Sequence, residues 1–421
     1  MKRIINVILV LCAVVVQAQA QERDPRIDST LRLIERVNTI WQNTHSPEVR
    51  AFWDEAAYHT GNVEAYLLLS KEPGYEEKAQ TMLNFSRIWA EHNRFQGATE
   101  PDTAKWEYKT YGEDQQHVLF ADWQTCFQVY LDLYRIDEDS AREARAKMYQ
   151  HAAEHGIHVD LPEPKHYWFA NRAWEVMGYM VSHPAHDYWW WADALYMAMP
   201  VMTKMHKLSY RDIYLDKLYE NLLYTDSIMY DEETGLYFRD GKYVYPKHKT
   251  ASGKKDFWAR GDGWVLAGLA KVLQDVPKGW EHYDFFKEKF QRMAKAVAEL
   301  QQPEGYWTCS MMDPDQAPGP ETSGTAFFTY GILWGINHWL LDKEEFEPVV
   351  ERAWRYLSET AVQADGTVGY VQPIGERAIP GQQVDGHSTA NFGIGAFLLA
   401  ASEYVRFLKG AWKKPERRRR R

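Results

Sequence analysis

Cysteine is scarce. Three occur in 421 residues, at positions 12, 126 and 309, and Cys12 falls inside an apolar leader-like run. Without that run only Cys126 and Cys309 remain, in helix-like or aromatic context, which excludes a disulfide framework. Basic charge is also short. A net charge of −10 leaves no general cationic surface, so nucleic acid is not an expected partner. After the first twenty residues no uninterrupted apolar run reaches membrane-spanning length. His151 and His155 share a helix face, but Ala152 stands where a His-Glu-x-x-His zinc motif needs its glutamate. There is no phosphate-cradling Gly-rich loop and no Gly-x-Ser-x-Gly turn, so neither a metal nor any other cofactor is expected. Strand patterns are few and there is no βαβ alternation, which argues against an α/β fold.

The two ends read as extensions. Lys2 and Arg3, the apolar stretch Ile4 to Val16, and Ala18-Gln19-Ala20 have the order of a secretory signal peptide over residues 1–20. Leu11 precedes Cys12 where a lipoprotein signal needs a small residue, which disfavours lipidation. An exported, periplasmic protein without stable membrane insertion is the expectation. At the other end, residues 411–421 finish in five arginines and read as a solvated basic tail. Residues 21–410 remain for one catalytic domain.

What the chain does have is aromatic surface and aspartate. It carries 18 Trp and 26 Tyr, rings that stack on sugars and also fill cores. Trp189-Trp190-Trp191-Ala192-Asp193 runs straight into an apolar helix. A carboxyl walled by indoles is desolvated, and desolvation raises its pKa, as a general acid requires. The alternative is an ordinary N-cap or first-turn aspartate.

Similar openings recur near Gly61, Asp122, Asp193, Asp262, Gly324 and Thr389, at a spacing of roughly 60 to 70 residues that marks a repeated supersecondary unit. After each comes a helix apolar nearly all round, hence buried. Between them lie amphipathic segments: Asp28 to Trp41, Glu76 to His92, Ser140 to His155, Asp212 to Met229, Glu281 to Leu300 and Glu344 to Ala361. Tyr230 to Lys255 reads as strand-like turns. Six buried helices alternating with six half-exposed ones predict an all-α, single-domain (α/α)6 barrel.

In such a barrel the N-termini of the inner helices gather at one mouth, where their partial positive charge favours an anionic ligand. Asp122 and Asp193 precede consecutive inner helices and form a candidate acid–base pair. Asp122 reads equally as an N-cap. Arg260, between Trp258 and Gly261, suits a two-point grip on a carboxylate or a structural ion pair. His387, after Gly386, suits either a substrate hydroxyl or a structural role. Oligomeric state is not legible.

Four motifs in order resemble glycoside hydrolase families 88 and 105, the unsaturated glucuronyl and rhamnogalacturonyl hydrolases. They are Ala121-Asp122 running to Gln128 through Tyr134, Trp191-Ala192-Asp193-Ala194-Leu195-Tyr196, Trp258-Ala259-Arg260-Gly261-Asp262-Gly263-Trp264, and Glu321-Thr322-Ser323-Gly324. The resemblance implies a metal-free hydrolase acting on unsaturated oligosaccharides left by a polysaccharide lyase. It would remove a terminal 4,5-unsaturated uronate, with unsaturated galacturonate of pectic rhamnogalacturonan as the leading substrate. It makes Asp193 the principal acid/base and Asp122 its partner. Arg260, Trp258 and Trp264 would bind the uronate, with Trp191, Trp123, Arg239 and His387 as further substrate contacts. The chain departs from many relatives at Leu236 to Lys242, where a His-Gly-Trp-Asp-like turn is replaced by Arg239-Asp240-Gly241-Lys242. The Asp-Asp pair of some relatives is Asp122-Trp123 here. Hydrolysis of other unsaturated glucuronyl products, a sugar epimerase and a non-catalytic glycan binder are the alternatives on the same barrel. Asp and Trp, rather than paired histidines, at the openings argue against the epimerase.

Overall fold

The computed structural model describes residues 24–94, 100, 102–109, 111–155 and 168–413. The expected signal peptide at 1–20 and residues 414–421 of the expected basic tail lie outside them.

The first helix shows how local sequence sets each element. Asp24 caps α1 (Pro25–Thr44) by accepting from the Arg26 amide at 2.9 Å, and proline takes the first helical position. Leu31, Ile34, Val37 and Trp41, three or four residues apart, then bury one stripe. The helices that follow are α2 (Trp53–Leu69), α3 (Glu76–His92), the one-turn α4 (Ala121–Gln124), α5 (Cys126–His155), α6 (Trp168–Ser182), α7 (Asp193–Ser209), α8 (Ile213–Met229), α9 (Ala259–Asp275), α10 (Tyr283–Glu299), α11 (Thr322–Asn337), α12 (Lys343–Tyr356) and α13 (Asn391–Leu408). Among the described residues the only paired strands are β1 (Tyr230–Asp231) and β2 (Leu236–Tyr237), an antiparallel hairpin.

The inner helices α2, α5, α7, α9, α11 and α13 pack in that order, and α13 closes back on α2. The outer helices cover them: α3 on α2, α6 on α5, α8 on α7, α10 on α9, α12 on α11 and α1 on α13. Composition explains the layering. Every residue of α11 is buried, and all of α9 except Gln274. By contrast, α10 buries only the stripe Phe286, Phe290, Met293 and Val297 with their neighbours. The expected (α/α)6 barrel is therefore the observed fold.

Two expectations are corrected. Gly61 does not mark a turn before a helix at Val63: α2 starts at Trp53 and Gly61 lies inside it. A Cβ built on Gly61 would sit 2.2 Å from the carbonyl oxygen of Gly395 on α13. The glycine is there for the close approach that closes the ring. Likewise, Ser140 to His155 is not a separate outer helix. It continues α5 without a break, and the outer partner is α6, Trp168–Ser182. A smaller difference is that α12 stops at Tyr356 and a π turn carries the chain to Ala361.

Candidate active site

At the mouth formed by the starts of the inner helices lies a cavity of about 610 Å³. Its walls include Asp122 from α4, Asp193 from the first turn of α7, Arg260 from α9, Trp53 from α2, and Trp190, Trp191, Arg239, Lys242 and Glu376 from connecting loops. A second cavity of about 240 Å³ lies toward the C-terminal end of α7. Its Lys204 and Asp132 side chains are already paired at 2.6 Å, so the first cavity is the better reaction chamber.

Neither aspartate caps its helix through its side chain. Asp193 Oδ2 makes no hydrogen bond and lies 3.4 Å from Arg239 Nε, itself without one. Burial raises the Asp193 carboxyl above the ordinary aspartate range, while the Arg239 and Arg260 charges pull it back. Burial likewise raises Asp122 well above the ordinary aspartate range, and the neighbouring Asp193 charge adds to that. Two close, coupled carboxyls of this kind retain a proton between them well above the pH at which a free aspartate loses it. Arg239 opposes the rise at both carboxyls, because a nearby cation favours the ionised form.

Arg239 owes its place to backbone. The Ala192 amide donates to the Arg239 carbonyl at 2.7 Å, and Trp191 bridges Asp240 antiparallel, so the chain after β2 is fastened to the start of α7. Arg239 Nη1 also donates to buried Asp240 at 2.8 Å, and Asp240 accepts from the Lys242 amide at 2.7 Å.

Arg260 lines the cavity, but its fork is engaged. It donates to the carbonyls of Gln372 at 2.7 Å and Pro373 at 2.9 Å, and it lies over the Trp258 and Phe392 rings. Trp258 donates its indole N–H to the Gln372 side chain at 2.7 Å. Trp258 and Arg260 therefore anchor the 372–376 loop, and Trp258 is not among the residues lining the cavity. Trp264 and Trp123 are not among them either: both are buried, Trp264 against Tyr196 and Phe327, Trp123 against Phe52. Their helical faces point into the core. His387 is exposed outside the cavity, its amide donating to Asp385. Of the sequence candidates, Asp122, Asp193, Trp191, Arg239 and Arg260 are brought together. Asp262 is buried and accepts from the Tyr237 amide at 2.9 Å, and Glu321 caps α11 by accepting from the Ser323 and Gly324 amides.

Sequence reasoning missed Glu376. It sits in a loop between α12 and α13 with no motif around it, and only the fold carries it to Arg239 and Lys242. Among the described residues no group of three or more His, Cys, Asp or Glu side chains is placed to hold a metal ion, and no helix is long and apolar enough to cross a membrane.

Comparison with known proteins places the chain. An unsaturated 3S-rhamnoglycuronyl hydrolase of Formosa agariphila is 39% identical over 222 residues, covering 52% of this chain and 58% of that protein. The chain spans little more than half the length of the curated relatives it matches. A solved glycosyl hydrolase family 88 structure from Bacteroides vulgatus is 51% identical, with a TM-score of 0.79 over 90% of this chain and 99% of that one. A solved chain described as a polysaccharide lyase, BACCELL_00875, is 54% identical, with a TM-score of 0.80 over 91% of this chain and 99% of that one. The model of Glycosyl Hydrolase Family 88 matches residues 28–408. With the helical barrel and the paired carboxyls at its mouth, this places the chain in glycosyl hydrolase family 88.

Proposed function

We propose that the chain removes a terminal 4,5-unsaturated uronate from an oligosaccharide by hydrating the C4=C5 bond. The observation that carries this reading is the pair Asp122 and Asp193, both raised by burial, facing a cavity beside Arg239. The uronate carboxylate pairs with Arg239. That pairing withdraws from Asp193 the cation that favours its ionised form and brings a second negative charge near it, so Asp193 is favoured in its protonated form. Asp193 gives the proton to C4, and positive charge develops at C5 and the ring oxygen. Water adds to C5 and returns its proton to the carboxylate. The hemiketal opens at the C5–O bond, and the hemiacetal left at C1 expels the attached sugar as an alcohol. Hydration, not displacement at the anomeric carbon, is the chemistry, so carboxylate separation does not set a stereochemical outcome.

The names of the curated relatives favour rhamnose as the attached sugar. Pectic unsaturated galacturonate and unsaturated glucuronate are both candidate uronates. Residues 1–20 favour export to the periplasm, where such oligosaccharides would be met. A second reading, elimination by a lyase, is favoured by the 54% identical structure of that description. It needs a base at C5 rather than a stored proton.

Asp193→Asn is the test. With a lyase-generated disaccharide of unsaturated uronate and rhamnose, turnover is expected to fall on the order of a hundredfold or more, as for loss of a general acid. Normal turnover in this variant contradicts the assignment.

A further inference from the structure

Glu376 belongs to none of the motifs, yet it touches the cationic wall of the cavity on every side. One carboxylate oxygen accepts from the Tyr243 hydroxyl. The other accepts from Lys242 Nζ at 3.0 Å and lies 3.4 Å from Arg239 Nη1. Arg239 reaches in the other direction to Asp193. Glu376 therefore bridges the cation beside the reacting carboxyls and the one at the rim, where the Lys242 side chain is 61% exposed.

This is not a drifting surface ion pair, because its loop is fixed from below. Gln372 is fully buried and each of its polar groups is used. Its amide donates to Glu321 and its carbonyl accepts from Arg260. Its side chain accepts from Trp258 and donates to the Arg377 carbonyl and the Gln382 side chain. The loop thus presents a carboxylate, at fixed position, to the cations a substrate carboxylate would use.

We propose that Glu376 is a specificity-determining residue that competes with the sugar's carboxylate for Arg239 and Lys242. The inference rests on the hydrolase reading for the identity of the sugar. Substrate and product both carry a carboxylate, and Arg239 and Lys242 opposed by Asp240 alone would hold either one more tightly. A built-in competitor weakens the grip on both. It acts on charge, so a neutral ligand of the same shape escapes it.

The experiment compares KM for an unsaturated uronyl-rhamnose disaccharide with the inhibition constant of its methyl ester against that disaccharide, for wild type, Glu376→Gln and Lys242→Met, at low and high salt. For Glu376→Gln the expected result is a KM for the acid lower by about threefold or more at low salt, a difference that shrinks as salt screens the charges. The ester's inhibition constant stays in place, and for the acid the change falls on KM rather than kcat. Lys242→Met leaves Glu376 to Arg239 alone and raises the acid's KM. Equal shifts for acid and ester, an acid KM unchanged or raised in Glu376→Gln, or one unmoved in Lys242→Met overturns the proposal. If wild type consumes neither compound, the hydrolase reading has failed by itself. Titration calorimetry of the same disaccharide then reads the competition, with tighter binding to Glu376→Gln expected and equal binding overturning it.

Discussion

At the residue scale the account turns on where protons and charges sit. Arg239 draws down the pKa of both cavity aspartates, so removing it lets both rise. In an Arg239→Met variant the alkaline limb of the kcat profile is expected to move to higher pH, because the pair keeps its proton longer; KM for the uronate rises at the same time. A pH–rate profile checks this, and a limb moving to lower pH would contradict the placement of Arg239. Glu55, in the first turn of α2, tests the same physics through stability. Burial, then the Asp54 charge, pushes its carboxyl up to about 7. Between the unfolded glutamate value near pH 4.3 and about 7, the folded protein holds a proton that the unfolded chain has lost. Folding stability from this group therefore falls as pH rises through that window. Glu55→Gln removes the penalty and should stabilise the protein at pH 8, by at most about 4 kcal/mol, with little effect at pH 4. Denaturant midpoints at the two pH values read the difference.

At the element scale, glycine decides how close the inner helices come. Gly61 on α2 and Gly395 on α13 meet backbone to backbone, leaving no room for a methyl group on either. Gly61→Ala is expected to cost about 1–3 kcal/mol by overpacking, although alanine is the better helix former. A rise in melting temperature would show that the ring closes more loosely than described. The same glycine shows what a sequence does and does not reveal. Helical periodicity made the inner and outer layers legible, because full burial and a single apolar stripe leave different patterns. It could not separate a glycine that turns the chain from one that lets two helices touch, since both stand among polar residues near an apolar run. Nor could it find the outer partner of α5, because the polar face of Ser140 to His155 looks the same on an outer helix as on a long inner one. At the site, Asp122 and Asp193 were legible because they open helices. Trp123 was misplaced because adjacent helical positions point about 100° apart, and Trp264 because it lies one turn deeper along α9 than Arg260. Glu376 was invisible because only tertiary structure brings its loop to Arg239.

At the scale of the whole molecule, a chain of net charge −10 builds a cavity that still suits an anionic sugar. Arg239 and Lys242 are fastened at one wall, Arg260 lies behind, and burial of the two aspartates disfavours their full negative charge. The family accounts for the barrel. The turn from Arg239 to Lys242 supplies the cations, and the loop of Glu376 tempers them. The decisive measurement follows the double bond and the released sugar together, in heavy water, with a lyase-generated unsaturated uronyl-rhamnose disaccharide. Hydration predicts that ultraviolet absorbance disappears one-for-one with rhamnose release and that deuterium is found at C4 of the uronate product. Rhamnose released with the double bond intact, or absorbance appearing when a saturated uronate polysaccharide is supplied instead, would contradict the account.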